Sequence, residues 1–166
     1  MKTNASSLSP NPVLAQLGYS PDARLVIFHA DDVGMCHGSN RAFIDLQAAG
    51  IVQCGSIMAP CPWAPEMLDY CAVHPEVDVG VHLTLNSEWP GYRWGPVSTR
   101  AVESGLLDGR GHFWPQVAQT QAIMQVDAAL AELRAQIELV RAAGIDFTHL
   151  DTHMGAALLP ALFSVY

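Results

Sequence analysis

The stretch Arg24–Ala30 reads RLVIFHA, and residues 31–34, DDVG, follow it directly. A continuous apolar run of this kind predicts a strand that is buried on both faces, as in a parallel sheet. After the polar break, Ser39 or Asn40 can cap a helix that runs to about Ala49. The sequence therefore predicts a strand, a loop and a helix in succession.

The same alternation continues along the chain. We predict three further strands, at Cys54–Ala59, Asp78–Leu85 and Phe147–Asp151. Two further helices are predicted at Pro65–Val73 and Val126–Ala143, from a proline in the first turn of one and an apolar face on the other. Strands that alternate with helices pair in parallel through right-handed crossovers, so the predicted fold class is α/β.

Composition narrows the function classes. Eight basic residues against sixteen acidic ones give a formal net charge of −8, without the basic patch that a phosphate backbone requires. Nucleic acid is therefore not an expected partner. The sequence shows neither a signal-peptide block nor an apolar segment of membrane-spanning length, so we expect a cytoplasmic protein with no membrane partner. The four cysteines form no C-x-x-C pair, which favours reduced thiols.

The length and the pattern of the chain indicate one domain. Residues 1–22 are predicted to form an N-terminal arm and residues 23–166 a single α/β domain. Residues 87–115 are predicted to form a long excursion with a short helix near residues 97–107. Its three tryptophans either stack on a sugar ring or pack the excursion onto the domain, and the sequence leaves both alternatives open. They are Trp89, Trp94 and Trp114.

Side chains suited to a metal ion fall at the ends of three predicted strands. The first strand ends at Asp31 and Asp32, the third contains His82, and the fourth leads into residues 149–153, HLDTH. Because the carboxyl ends of parallel strands share one rim, we expect these groups to lie close together. One carboxylate and two imidazoles suit Zn, Mn, Fe, Co or Ni, and suit Mg less naturally.

Each of these signals also has a purely structural interpretation. An Asp-Asp pair after a strand can be a helix-capping turn, and a single histidine such as His82 is more often a satisfied core residue. The pattern H-x-D-x-H is short. The coincidence of all three at one rim favours a joint functional site. His29, His37, His74 and His112 lack such a context, and none of them is predicted as a site residue. A structural role at a helix end is expected for His74, and His29 is expected to lie on the same side of the strand as Asp31.

Three segments resemble the signatures of a known family. They are HADDVGMCHGSNRAF at residues 29–43, GVHLTLN at residues 80–86 and THLDTHMG at residues 148–155. Their order and spacing resemble the YdjC/ChbG (HpnK-like) group of carbohydrate deacetylases, and the resemblance covers residues 25–166. It implies a partial, distorted β/α barrel related to the NodB-type polysaccharide deacetylases, with parallel strands.

The resemblance also implies an activity. The family removes the acetyl group of an N-acetylated sugar, such as a chitooligosaccharide, by means of a metal-activated water. Asp32, His82 and His153 match the metal ligands, and Asp31 matches the proposed catalytic base. The implied cofactor is a divalent ion, Mg or Zn, and the implied partner is a small carbohydrate. No substrate-binding residue is predicted.

Supporting roles are expected for two neighbouring residues. Asp151 lies between two histidines and is expected to orient one of them, and His149 is expected to support the ligands in the same way. For Asp31 and Asp32 to face one pocket, the backbone must leave regular strand geometry at this pair, because consecutive strand residues point to opposite sides. Where many members of the family carry further histidines, this chain has residues 154–156, MGA.

Members of the family are longer than this chain, so we expect it to be a truncated N-terminal portion that lacks the second half of the barrel. Four strands cannot close a barrel that normally needs about eight, and an open edge favours association, so a homo-oligomer is expected. Two alternative functions stay open. One is a different metal-dependent amidase or esterase on the same frame, and the other is a non-catalytic metal- or carbohydrate-binding module.

Overall fold

The structure, a computed structural model, describes residues 11–166. The strands are β1 (His29–Val33), β2 (Cys54–Ile57), β3 (Asp78–Leu83) and β4 (Leu150–Thr152). The α-helices are α1 (Pro12–Gln16), α2 (His37–Ala48), α3 (Ala64–Val73), α4 (Val117–Ile123) and α5 (Val126–Ala142). Short 3-10 turns are formed by Val102–Ser104, His153–Gly155 and Pro160–Val165.

The four strands form one sheet in the order β1-β2-β3-β4, and every neighbouring pair is parallel. The predicted α/β class with parallel strands is therefore confirmed. Within the described residues the sheet does not close, so β1 and β4 are its two edges. The carboxyl ends of all four strands lie along one rim, which is where the polar side chains of interest were predicted.

The first strand differs from its prediction. β1 begins at His29 rather than Arg24 and continues through the Asp-Asp pair to Val33. Val26 and Ile27 are 70% and 74% exposed, so the run before His29 is not buried on both faces. The physical reason is that β1 lies at an edge of the sheet and pairs only with β2, in a register that starts at His29.

The core lies between the sheet and the helices that cover it. Val79, Val81 and Leu83 of β3 are buried against the apolar face of α5, which contributes Leu133 and Val140. Burial of such side chains contributes roughly 1.5–3 kcal/mol each and sets the position of α5 on the sheet.

A polar clamp ties α5 to the segment that leaves β3. The fully buried Gln136 accepts a hydrogen bond from the Thr84 backbone N–H at 2.9 Å and donates one to the Thr84 carbonyl at 2.7 Å. Because both backbone groups of Thr84 are buried and bonded to one side chain, Thr84 is held in a fixed position relative to α5. Because Thr84 follows His82 by two residues, the clamp also fixes the end of β3.

The long excursion differs from its prediction. Instead of a helix near residues 97–107 it contains only the turn Val102–Ser104. The backbone N–H groups of Val97 and Ser98 donate to the buried carboxylate of Glu132 on α5, at 3.1 and 2.8 Å, and this holds the segment against α5 in a non-helical conformation. Helix α4, which follows the excursion, was not predicted.

Gly105, which lies within this excursion, packs closely against the end of α4. Its φ is +71°, and a Cβ built there would clash with the carbonyl oxygen of Ile123. Gly144, after α5, has a similar φ of +82° but open space around it. We expect Gly144→Ala to cost about 1–2 kcal/mol from the left-handed backbone alone, and Gly105→Ala about 3–5 kcal/mol because backbone atoms must also move.

Urea unfolding of the two variants measures this difference. The comparison isolates the steric effect, because both substitutions add the same methyl group at a positive φ. Equal losses of unfolding free energy in the two variants would show that the contact between Gly105 and the residues at the end of α4 is not close.

The remaining elements lie near their predicted positions, with shifted ends. Helix α2 is capped by Cys36, whose Sγ accepts from the Ser39 N–H, so neither Ser39 nor Asn40 is the cap. The predicted strand Phe147–Asp151 is observed as β4, and the predicted strands that start at Cys54 and Asp78 both end two residues early.

Other expectations concern the ends and the cysteines. Within the predicted arm, residues 1–10 lie outside the described residues, and α1 has no buried residue. All four cysteines are free in the described structure. Among the helices of residues 11–166, we find none with the length and hydropathy that crossing a membrane requires.

Candidate metal centre

Three side chains from three strand ends meet at the rim of the sheet. Asp32, His82 and His153 each present one ligand atom, and these atoms all lie within 4.8 Å of one another. Asp32 Oδ1 is 2.9 Å from His153 Nδ1 and 3.3 Å from His82 Nε2. Both imidazoles are buried, and the carboxylate is one-third exposed. The structure thus brings together the three residues that were predicted as ligands.

The spacing of these atoms suits a shared metal ion. Two ligands that each lie about 2.1 Å from one ion are separated by roughly 3.0–3.4 Å when they subtend an octahedral or tetrahedral angle. The separations of 2.9 and 3.3 Å around Asp32 Oδ1 are close to this range. Three protein ligands leave coordination positions open, which is the arrangement of catalytic sites rather than structural ones.

The backbone at the end of β1 directs Asp32 into this group. The pairing register with β2 shifts between Ala30 and Val33, and Asp32 has a φ of +60°. Aspartate tolerates this left-handed conformation better than most residues, whereas bulky side chains are strained there. The departure from strand geometry that was predicted for the Asp-Asp pair is present.

Asn40 holds the turn that follows. Its side-chain oxygen accepts from the Gly34 N–H at 2.7 Å, and its amide donates to Glu66 at 2.6 Å and to the Trp63 carbonyl at 3.0 Å. Asn40 is fully buried, and its bond to Gly34 is buried, whereas its bonds to Trp63 and Glu66 are partly buried. The asparagine in the first signature therefore fixes the loop after Asp32 to helix α3, rather than capping α2.

Asp151 fixes the orientation of the His82 ring. Its Oδ1 lies 2.7 Å from His82 Nδ1, and its Oδ2 accepts a hydrogen bond from Ser56 Oγ at 2.8 Å. A carboxylate on Nδ1 places the ring proton there and leaves the lone pair of Nε2 facing Asp32, which is the tautomer that binds metal. Ser56 was not predicted, because its position on β2 carries no local signal for this contact.

Glu88 is a second residue that sequence reasoning missed. Its Oε2 lies 3.0 Å from His153 Nε2, so the His153 ring lies between two carboxylates, Asp32 on one nitrogen and Glu88 on the other. The available signal was its place just beyond GVHLTLN, where the chain leaves β3 at the same rim. Glu88 brings a further negative charge to the edge of the site.

The electrostatics of the site favour bound positive charge. Burial lowers the pKa of His82, but its hydrogen bonds to Asp151 and Asp32 outweigh burial and raise that pKa to about 9. Burial also opposes protonation of His153, and its contacts with Asp32 and Glu88 raise its pKa nonetheless. Hydrogen bonds from His153 and His82 hold the pKa of Asp32 well below its usual range. The same carboxylates would stabilise a divalent ion bound to neutral imidazoles.

Asp31 and His149 lie beside this group rather than in it. Asp31 is 67% exposed on its side chain, and its Oδ1 lies 2.9 Å from His29 Nδ1. His149 contacts Thr148 and His29, and within the described residues it forms no hydrogen bond with Asp32 or either of the other two members of the group. The expected support of the ligands by His149 is therefore not a direct contact. His29, for which no role was predicted, contacts both Asp31 and His149.

The structure separates the three tryptophans of the excursion. Trp94 is buried, donates its Nε1–H to the Asn86 carbonyl at 3.0 Å, and has its ring centroid 6.2 Å from that of His153. Trp114 donates to the Gly105 carbonyl at 2.8 Å. Trp94 thus packs the excursion onto the domain, whereas the hydrogen bond of Trp114 lies within the excursion. Trp89, beside Glu88, is 52% exposed and is the most exposed of the three tryptophans.

The sequence that forms this site matches a known protein family. Residues 25–166 match the family described as YdjC-like protein. The chain belongs to the YdjC-like family. The matched range contains all three strand ends that form the candidate metal centre, and it excludes the whole predicted N-terminal arm, residues 1–22.

Relatives of this YdjC-like chain include two bacterial proteins named carbohydrate deacetylase. The protein from Thermus thermophilus is 38% identical over 143 residues, which are 86% of this chain and 48% of the relative. The protein from Thermoanaerobacter pseudethanolicus is 29% identical over 130 residues, or 78% of this chain and 50% of the relative. The chain thus spans about half the length of the curated relatives it matches.

A solved structure shares the fold of this YdjC-like chain. It is a crystal structure from Enterococcus faecalis V583, of a protein named for cellobiose-phosphate cleavage, and it superposes with a TM-score of 0.72 at 25% identity. The match covers 84% of this chain and 52% of the other. The open four-stranded sheet therefore corresponds to about half of a larger α/β fold, as expected for a NodB-like architecture.

Proposed function

We propose that the whole protein is a metal-dependent hydrolase that removes acetyl groups from N-acetylated sugars of the chitooligosaccharide type. The observation that carries the proposal is the convergence of Asp32, His82 and His153 at the rim, with the exposed carboxylate of Asp31 beside them. Names of the relatives from Thermus and Thermoanaerobacter support the carbohydrate substrate and the deacetylation.

The ligand set suits a divalent ion of intermediate softness. Two imidazole nitrogens and one carboxylate oxygen favour Zn over Mg, although a site with an added carboxylate such as Glu88 also suits harder ions. When bound, such an ion would polarise the acetyl carbonyl and make water a stronger nucleophile at neutral pH. We infer that Asp32, His82 and His153 hold the ion, and that Asp151 keeps the His82 ring in the ligating tautomer.

Asp31 is proposed as the general base. Its side chain is the more exposed member of the Asp-Asp pair, so a substrate at the rim can reach it. The hydrogen bond with His29 Nδ1 holds one carboxylate oxygen and leaves the other to accept a proton from the attacking water. The exposed ring of Trp89 is the proposed surface for the apolar face of a sugar.

Product analysis on a panel of acetylated sugars tests the proposed reaction. The whole protein, supplied with Zn²⁺ or Mg²⁺, is incubated with N-acetylated chitooligosaccharides and with O-acetylated sugars, and free acetate and the deacetylated product are quantified. We expect acetate and a free amine from the N-acetylated substrates. Release from O-acetylated sugars alone would show an esterase, and metal binding without any release would favour a non-catalytic binding module.

The expected surroundings are also part of the proposal. Four free cysteines support a reducing, cytoplasmic location. A homo-oligomer stays a prediction, which the size of the whole protein in solution can test.

A further inference from the structure

A second group of potential ligands lies next to the proposed metal centre. His29, His149 and Asp151 also present ligand atoms that lie within 4.8 Å of one another. His29 Nε2 is 2.9 Å from His149 Nε2 and 3.7 Å from Asp151 Oδ2. All three side chains are partly buried. None of these three is a proposed ligand of the first ion.

The hydrogen bonds of the two rings fix where their protons lie. His29 Nδ1 faces the carboxylate of Asp31 at 2.9 Å, and a carboxylate can only accept, so this nitrogen carries the proton. His149 Nδ1 faces Thr148 Oγ1 at 2.8 Å, while that hydroxyl donates its hydrogen to Asp78 at 2.5 Å. The hydroxyl is therefore an acceptor toward His149, whose Nδ1 must be the donor.

These assignments leave two lone pairs facing one another. With both Nδ1 atoms protonated, a neutral His29 and a neutral His149 each present an unprotonated Nε2, and the two nitrogens are only 2.9 Å apart. Two acceptors at this distance repel, so the arrangement requires a positive centre between them, with the Asp151 carboxylate nearby. That centre is either one shared proton or a metal ion.

We propose that His29 Nε2, His149 Nε2 and Asp151 Oδ2 form a second divalent-metal site. Ligand atoms about 2.1 Å from one ion are separated by roughly 3.0–3.4 Å at octahedral or tetrahedral angles. The observed 2.9 Å is close to this range, and the observed 3.7 Å lies just beyond it. Both imidazoles already have an oxygen acceptor behind Nδ1, which is how proteins orient metal-binding histidines. Two nitrogens and one oxygen select Zn²⁺ or Co²⁺ over Mg²⁺.

The fold makes room for the His149 ring in this position. A Cβ at Gly80 would clash with His149 Cδ2 and would lie 2.5 Å from its Nε2, so the ring rests directly on the backbone of β3. Any side chain at this position would require the ring or the backbone of His149 to move. Gly80, the glycine in GVHLTLN, therefore makes room for the ring of His149, the residue that precedes β4.

Asp151 connects the two sites. Its Oδ1 faces His82 of the first site and its Oδ2 faces His29 of the second. An ion at the second site would fix the carboxylate that in turn orients His82. The two ions would thus be coupled through one side chain, although they share no ligand.

Counting bound ions in single-residue variants tests the second site. The whole protein is stripped with a chelator, loaded with Zn²⁺, freed of excess by gel filtration and analysed by elemental mass spectrometry, and Co²⁺ titrations follow visible absorption. We expect two ions per chain in the unmodified protein, and one each in His149→Ala, His29→Ala and His82→Ala. His74→Ala is the matched control and should keep two, because His74 contacts Glu76 and Tyr70 away from both sites.

The outcomes separate this site from the proposed catalytic one. One ion in the unmodified protein, unchanged by both His149→Ala and His29→Ala, would overturn the second site and leave a shared proton between the rings. Retention of both ions in His82→Ala would contradict the proposed first site and would leave the second site unaffected. Thermal unfolding of each variant identifies loss of folding, and the two histidine variants of the second site provide independent readings.

Discussion

Replacing Asp32 by asparagine is expected to release the ion of the first site and to abolish acetate release. Asp32 is the only carboxylate among the three ligands, and its Oδ1 faces both histidines, at 2.9 Å from His153 Nδ1 and 3.3 Å from His82 Nε2. A bound metal contributes several kcal/mol to the transition state, so its loss should lower kcat/KM by about 10³-fold or more. Asparagine tolerates the positive φ at this position, so the backbone is retained.

Asp45→Asn is the matched control. Asp45 is an exposed residue of α2 that pairs only with Arg41 among the described contacts, and its neutralisation should change neither the metal content nor the rate. Equilibrium dialysis with Zn²⁺ measures the affinity, and acetate release measures kcat/KM. An Asp32→Asn protein that binds the ion and turns over like the Asp45→Asn control would remove Asp32 from the ligand set.

Asp31→Asn is expected to separate metal binding from catalysis. The Asp31 side chain is exposed and is not among the three converging ligands, so the ion held by Asp32 should stay in place. Loss of a general base costs typically 10²–10⁴-fold in rate, so kcat should fall by about this factor with little change in KM. The substitution preserves the shape of the side chain and removes only its basicity.

The decisive comparison is between the two neighbouring variants. Asp32→Asn should lose both the first ion and the rate, whereas Asp31→Asn should lose the rate and keep that ion. Metal content and kcat measured on the same preparations provide this comparison. Full turnover by Asp31→Asn would exclude Asp31 from the mechanism, and loss of the first ion from that variant would make it a ligand instead of a base.

The features that could be predicted from the sequence are those that depend on the local pattern of residues. Asp32, His82 and His153 could be placed at one rim because each lies at the end of a strand, and parallel strands share their carboxyl end. The departure of the backbone at Asp32 was predictable for the same reason, since two adjacent carboxylates cannot otherwise face one side. The alternation of strands and helices likewise predicted the parallel sheet.

The contacts that the sequence did not predict join residues that are distant along the chain. Ser56 meets Asp151, Glu88 meets His153, and His29 meets His149, and none of these pairs has a fixed spacing that a pattern could reveal. They depend on how the sheet curves and on where the excursion folds back.

The prediction that the apolar run before His29 forms a buried strand was wrong for a different reason. Hydrophobicity indicates that Leu25–Phe28 favours burial, but β1 lies at a sheet edge, and these side chains are exposed in the described structure. Whether an apolar strand is covered depends on its neighbours in the sheet, which local sequence does not specify.

The central claim is that the ion held by Asp32, His82 and His153 is required for deacetylation. The most direct measurement is acetate release from an N-acetylated chitooligosaccharide by the whole protein, first stripped of metal and then resupplied with Zn²⁺ or Mg²⁺. We predict no release above background from the stripped protein and recovery of turnover on addition of metal. Undiminished acetate release by protein shown to be free of metal would contradict the account.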